Sequence, residues 1–303
     1  MAARRKTNGK SILFTILAIV AALVLAYTQG DNIADLLKGE TKGAFKYTPG
    51  TVAVHFIDVG QGASTLIQSG EDGILIDAGE REYADTVIRY IKDCGVKTLR
   101  YVIASHPHSD HIGAMADVLN AVKTQNIIMP RLSESNTPTT KTYERLLSAI
   151  QSNKIKAIAA KYGKTYELDH VQMEVLGPLV QDSNLNNMSV VCRLTAFSTS
   201  FMLLADAEKA ELRTIYEKGG NFRSNILSMG HHGSSTSLYQ PFLNSTKANV
   251  AVISCGLNND YGHPHKETLR YIQKHKMECL RTDERSHIVF VCNEAGYQIQ
   301  TAA

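Results

Sequence analysis

Four metal-capable side chains fall within six residues at His106-Pro107-His108-Ser109-Asp110-His111. They directly follow an apolar run, Tyr101-Val102-Ile103-Ala104-Ser105. A strand that ends in H-x-H-x-D-H can aim two imidazoles at one metal. The next turn then aims a carboxylate and a third imidazole at a second metal. Zinc takes this mixture of nitrogen and oxygen ligands and keeps an open position for water when the site is catalytic. A solvated polar loop is the bland alternative, but it does not call for this density and spacing of donors. The chain must therefore present a strand end at a rim, where loops carry function on a rigid scaffold.

The rest of the chain supplies such a scaffold. From residue 51 onward, strand-like and helix-like segments alternate. Val52 to Val59 alternates apolar residues with period two, and Ser64–Gln68 and Gly73–Asp77 read as two further strands. Glu82–Asp93 reads as a helix, Leu99–Ser105 as a strand and Ile112–Val122 as a helix behind the histidine cluster. In the second half, Ser189–Phe197 and Ser200–Ala205 form a hairpin, followed by a helix over Ala207–Lys218 and a strand over Asn225–Gly230. A short helix over Ser237–Asn244, a strand over Val250–Cys255 and a helix over Lys266–His275 follow. Strands close the chain near Cys279-Leu280, His287–Cys292 and Tyr297–Thr301. Strands from each half with helices outside them give the expected fold class: α/β, a four-layer αββα sandwich.

Ser11–Tyr27 carries no charge and follows Arg4, Arg5, Lys6 and Lys10. This is a short membrane span or a long signal-peptide core. The basic flank orients the N-terminus to the cytoplasm and exports the remainder. The expected organisation is residues 1–30 as basic tip plus anchor or cleaved signal, 31–50 as linker, and 51–303 as the catalytic domain. The expected location is the cell membrane, single-pass, with the domain outside the cytoplasm, or secreted if the signal is cleaved. The formal charge of +3 says almost nothing about nucleic acid. Lys123, Arg131, Lys141 and Arg145 are candidates for a basic groove. Five cysteines without C-x-x-C spacing indicate buried thiols rather than a disulfide framework.

The order of motifs resembles the metallo-β-lactamase superfamily. Asp58, Asp77-Ala78-Gly79, the H-x-H-x-D-H cluster, the strand-end Asp206 and a late His follow one another as in that family. Phe56-Ile57-Asp58-Val59-Gly60-Gln61-Gly62-Ala63, Ser105-His106-Pro107-His108, Asn187-Met188-Ser189-Val190-Val191, His231-His232-Gly233-Ser234 and Tyr261-Gly262-His263-Pro264 are similar to the hydrolase domain of ComEC-type competence proteins and its free-standing exported relatives. The resemblance covers residues 52 to about 300.

This resemblance implies roles by position. His106 and His108 hold a first metal; Asp110 and His111 hold a second; Asp206 bridges them. His231 completes the second site, with His232 the less favoured choice. Asp58 and Asp77 take supporting roles, accepting hydrogen bonds from ligand imidazoles or backbone. The further first-site His of many family members is missing: the region reads Asn184-Leu185-Asn186-Asn187-Met188-Ser189, so the first site is either weaker or completed by water or Asn187. Two divalent ions are expected, zinc or manganese, with Asp110 counted among the catalytic residues as well as the ligands.

His263 and His265 sit in a loop after a strand, suited to phosphate binding or to protonating a leaving group. Ser234 and Ser235 can hold a phosphate oxygen at a helix N-terminus or act as plain N-caps. His232 joins these as a substrate-binding candidate. His55, His275 and His287 read as structural. Two metals, a metal-activated hydroxide and a histidine acid suit phosphodiester cleavage, on DNA or another extracellular phosphodiester. An ester, lactone or amide hydrolase of the same fold is the alternative enzyme. A metal-stabilised nucleic-acid-binding protein without catalysis is the alternative from another class. No obligate protein partner is evident.

Overall fold

The computed structural model describes residues 45–301. The expected anchor at 11–27 lies outside the described residues, and so does most of the expected linker. No helix among the described residues is long and apolar enough to cross a membrane. The compact unit starts at Phe45, before the expected boundary at 51. The Phe45 ring is buried edge-on against His55, 4.8 Å between centroids, which ties the end of the linker to the core.

Period-two patterning sets the layers. In β1 (Val52–Phe56), Val52, Val54 and Phe56 enter one apolar layer while Ala53 enters another. β1 lies in an eight-stranded sheet with β2 (Thr65–Ser69), β3 (Asp72–Ile76), β4 (Thr98–Ile103), β5 (Lys123–Met129), β6 (Lys156–Ala159), β14 (Ile288–Asn293) and β15 (Gly296–Thr301), in the order β15-β14-β1-β2-β3-β4-β5-β6. The second sheet has the order β13-β12-β11-β10-β9-β8-β7, built from β7 (Thr165–Leu168), β8 (Val171–Val175), β9 (Cys192–Ala196), β10 (Thr199–Leu203), β11 (Ile226–Ser228), β12 (Val250–Ile253) and β13 (Glu278–Arg281). Phe56, Ile103, Phe201, Val252 and Phe290 fill the space between the sheets.

Helices cover both outer faces. α1 (Ala84–Asp93), α3 (Met115–Ala121) and α4 (Lys141–Ser152) bury Val87, Ile91, Val118 and Leu146 against the first sheet. α5 (Lys209–Lys218), α6 (Gln240–Thr246) and α7 (Lys266–Lys274) bury Leu212, Phe242 and Ile272 against the second. The result is the two-sheet α/β sandwich expected from the pattern. The expected helix over Ile112–Val122 is broken into α2 (Ser109–Ile112) and α3. Gly113 lies at the break, where an added Cβ would stand 2.6 Å from the Arg81 backbone nitrogen. All five cysteines are free thiols, and Cys94, Cys192, Cys255 and Cys292 are buried.

The parallel strands position the site. β3, β4, β5 and β6 run parallel in one sheet, and β10, β11, β12 and β13 run parallel in the other. Ligands of open α/β sheets bind beyond the carboxyl ends of such strands. Asp77 follows β3, His106 to His111 follow β4, Asp206 follows β10, His231 and His232 follow β11, and His263 lies in the loop after β12. The proposed basic groove does not form as expected. Lys123 begins β5 and so lies at the opposite end of the strands, and Arg145 is paired with Asp117 at 2.8 Å.

Candidate metal centre

One donor atom each from Asp110, His111, Asp206 and His232 lies within 4.8 Å of all the others. His111 and Asp206 are fully or almost fully buried, and so is His232. His232, rather than the expected His231, is therefore the ring that the structure groups with Asp110 and His111. His232 Nε2 stands 3.0 Å from Asp110 Oδ2. Its Nδ1 donates to the Ser254 carbonyl at 2.9 Å. His111 is oriented the same way: its Nδ1 lies 2.7 Å from Asp77 Oδ2. Both rings thus give away Nδ1–H and turn Nε2 towards the cluster, the orientation that a partner behind a ligating imidazole imposes.

These residues fit a divalent cation on the structure's own terms. His111 Nε2 is buried without a hydrogen-bond partner although Asp206 Oδ1 lies 3.2 Å away. A nitrogen lone pair and two carboxylates facing one another inside a protein need a positive charge between them. Protons meet that need in the absence of metal. Burial opposes a charge on His111, yet the Asp206 and Asp77 carboxylates outweigh it and raise its pKa well above the imidazole range. Burial likewise opposes ionisation of Asp206, but His111 and His232 hold its carboxyl well below the usual range. Asp110 is lowered in the same way, against burial, by the His232 hydrogen bond and the His111 charge. Metal binding at such a cluster displaces protons.

A second group of donors meets the other oxygen of Asp206. His106 Nε2 and His108 Nδ1 approach to 3.0 Å, and His106 Nε2 lies 3.8 Å from Asp206 Oδ2. Burial, then the His111 charge, pushes the pKa of His106 well below the imidazole range, so that ring is neutral. His231 Nε2 also faces Asp206 Oδ2, at 3.7 Å, while its Nδ1 lies 3.1 Å from Thr236 Oγ1 and 3.4 Å from Glu208 Oε1. His232 Nε2 reaches the same oxygen at 3.7 Å, so Asp206 Oδ2 is shared by His106, His231 and His232.

The supporting residues separate. Asp77 follows β3 with φ of 58°, a left-handed conformation that Asp tolerates better than most residues. Its carboxylate accepts from Ser105 N at 2.8 Å, Ser105 Oγ at 2.6 Å and His111 Nδ1. Asp58 touches no cluster imidazole; it accepts from Gly60 N at 3.1 Å and its own N–H donates to His287 Nδ1. It shapes the turn that carries Gln61. That turn packs on the metal loop, where a Cβ on Gly62 would lie 2.6 Å from the Asp110 carbonyl oxygen. The Asn187 amide is committed elsewhere: Nδ2 donates to Asp182 Oδ2 and Oδ1 accepts from Glu208 N. Asn187 thus holds the loop after Asp206 and does not complete the first site. His55 is structural as expected, buried beside the Tyr90 hydroxyl, with burial lowering its pKa to about 3.

An open cleft of about 600 Å³ leads to the cluster, lined by Gln61, Ser109, Thr140, Asn186, Tyr261 and His263 besides the metal-capable residues. His263 is partly buried, and burial followed by the charges of His232 and His231 lowers its pKa to about 4. Gln61 Oε1 accepts from Gly256 N, so its amide nitrogen faces His263 Nδ1 at 3.4 Å. The ring proton of His263 is then on Nε2. Ser234, Ser235 and His265 do not line the cleft. Ser234 Oγ caps the next turn by accepting from Thr236 N, and His265 Nδ1 accepts from Ser235 N. These bonds lock the His231–Ser237 turn. Gln61, Asn186 and Tyr261 line the cleft without a metal-capable group, so motif spacing gives them no role of their own, although Gln61 and Tyr261 stand inside the motifs quoted above.

The metallo-beta-lactamase superfamily model matches residues 57–256. The chain is 29% identical over 260 residues to ComE operon protein 3 of Bacillus subtilis, a match covering 78% of this chain and 32% of that protein. It is 28% identical over 293 residues to competence protein ComA of Neisseria gonorrhoeae, covering 94% and 39%. The chain thus spans well under half the length of these relatives. Among solved structures, CmlA, a diiron β-hydroxylase from Streptomyces venezuelae, superposes with a TM-score of 0.54 at 12% identity, covering 80% of this chain and 55% of that one, a likeness of fold alone. Fold, donor cluster and family match converge: the chain belongs to the metallo-β-lactamase superfamily.

Proposed function

We propose that this protein is a metal-dependent phosphodiesterase that acts on nucleic acid, held at the outer face of the membrane by residues 11–27. The observation that carries the reading is the position of Asp206. One oxygen faces His111, and the other faces His106, His231 and His232, at the floor of an open polar cleft. Divalent cations held by these residues, zinc or manganese, would offset charge developing on phosphoryl oxygens and activate water. The chain's own residues do the positioning. Asp110, His111, Asp206 and His232 form the four-residue donor group, and His106 and His108 stand beside it. Asp77 and the Ser254 carbonyl fix the two ring orientations. His263, neutral and with its proton on Nε2, gives a hydrogen bond to a substrate oxygen and transfers no proton. Relatives named for competence and, at 27% identity, as recombination protein 2 of Haemophilus influenzae favour nucleic acid as the phosphodiester.

The test uses the purified full-length chain loaded with Zn²⁺ or Mn²⁺. Hydrolysis of bis(p-nitrophenyl) phosphate, lost with chelator and restored by metal, is expected, with p-nitrophenyl acetate as the carbonyl control. Hydrolysis of the acetate alone would overturn the reading.

A further inference from the structure

Tyr261 is 68% exposed, yet its backbone is held firmly. Asn259 pegs the loop that presents it. The Asn259 side chain donates to the carbonyls of Gly256 and His263 and accepts from the N–H groups of Tyr261 and His263, at 2.6–3.2 Å. Gln61 ties the same loop to the turn after β1 through Gly256 N. The Tyr261 ring stacks on His263 with 5.7 Å between centroids and 20° between planes. His263 in turn lies nearly parallel to His232 of the cluster, at 6.2 Å and 29°. Three rings therefore step outward from the metal centre to the mouth of the cleft, and the last offers a large flat face to solvent. Leu257, 71% exposed, adds apolar surface on the same loop. Both side chains thus reach solvent from a loop that the Asn259 and Gln61 hydrogen bonds hold in place.

We propose that Tyr261 is a stacking platform for a nucleobase of the substrate, so that the site takes single-stranded nucleic acid with an unpaired base beside the scissile phosphate. This rests on the phosphodiesterase reading and names its substrate more closely. A base inside a duplex has no free face for the ring. Aromatic platforms grip unpaired bases with little regard to sequence, because every base has a π-face. The remaining cleft wall, Thr140, Thr142, Ser109 and Asn186, offers hydroxyl and amide groups suited to the sugar-phosphate chain.

The experiment compares phosphorothioate-linked oligothymidylate with an abasic oligomer of equal length and charge. Binding to the full-length, metal-loaded protein is read by fluorescence anisotropy. Wild type should prefer the base-bearing strand. Tyr261→Ala should weaken that strand by about 5- to 150-fold and leave the abasic one within twofold, while Tyr261→Phe retains the preference. Equal binding of both strands by wild type, or a preference that survives Tyr261→Ala, would overturn the platform. Methyl p-nitrophenyl phosphate, which carries no base, reports separately on the chemistry. Any loss that Tyr261→Ala shows on it should be smaller than the loss of oligothymidylate binding; an equal loss on both would make Tyr261 a support of the loop and overturn the platform. Inert wild type on this substrate would sink the phosphodiesterase reading and leave the binding comparison to decide the platform on its own.

Discussion

Replacing Asp77 by Asn should separate metal binding from folding. The Asp77 carboxylate serves three donors: Ser105 N, Ser105 Oγ and His111 Nδ1, at 2.6–2.8 Å. In Asp77→Asn the amide oxygen can keep Ser105 N, but an NH₂ group then faces His111 Nδ1. To accept from it, His111 must move its proton to Nε2, which points an N–H at the cluster where a lone pair is required. Changes behind a ligating His typically cost 10–100-fold in metal affinity, so the loss should be about 1.4–2.8 kcal/mol. Asp77→Ala behaves differently. It frees His111 to keep its ligating orientation but strands buried donors, at roughly 1–3 kcal/mol each. The two variants should rank in opposite order: Asn binds metal more weakly than Ala, yet its metal-free form is more stable. Chelator competition measures the first and denaturant unfolding of metal-free protein the second. Wild-type metal affinity in Asp77→Asn, or the same ranking in both assays, would refute the role assigned to Asp77.

His232→Ala and His231→Ala should differ in metal content: the first removes a member of the four-residue donor group and the second leaves that group intact, as elemental analysis against free-metal concentration would show. His263→Ala should keep the metals and lower kcat, and a neutral hydrogen-bond donor should give similar defects on an alkyl phosphodiester and on a p-nitrophenyl ester; a much smaller defect on the p-nitrophenyl ester would mean that the ring acts as an acid instead. Glu211 is buried, which raises its pKa from 4.5 to about 7 against the pull of the Val180 and Leu179 amides. The folded state thus holds its proton more tightly than the unfolded one, so stability should fall as pH rises from about 4.5 to 7, by up to roughly 3 kcal/mol. Glu211→Gln should remove that slope from denaturant unfolding measured across the window, and an unchanged slope would refute the assignment.

The strand reading succeeds where one face is apolar and the other differs. Val52 to Phe56 alternates between two cores, and the structure pairs it as a central strand. The segment 123–188 is where it fails, holding β5 to β8 and α4 although almost none of it is assigned from pattern. β5 opens with Lys-Thr-Gln-Asn and becomes apolar only at Ile127 and Ile128, and β6 is largely exposed at a sheet edge. β8 carries a plain signal in Val171, Met173 and Val175, all buried in alternation. Site residues on strand ends were legible because their spacing is set by one turn of chain. Choosing between His231 and His232 was not. Both backbones are left-handed at φ 53°, and which ring enters the cluster depends on the Ser254 carbonyl, twenty-two residues away. Asn186 and Asn187 pose the same problem, since a single residue step decides which amide lines the cleft.

The centre straddles a seam. Asp110 and His111 arrive from one sheet, Asp206 and His232 from the other, and His232 meets Asp110 across 122 residues of chain. Neither sheet alone owns the four-residue group, so the half-formed chain offers a cation only the donors of the loop after β4, and the complete group waits on docking of the two sheets. Loop closure over that span must come first. Occupancy of the centre then registers that both halves have docked, and the ion acts as a late rivet between them. A chain arriving unfolded on the far side of a membrane would acquire its chemistry as the last event of its maturation.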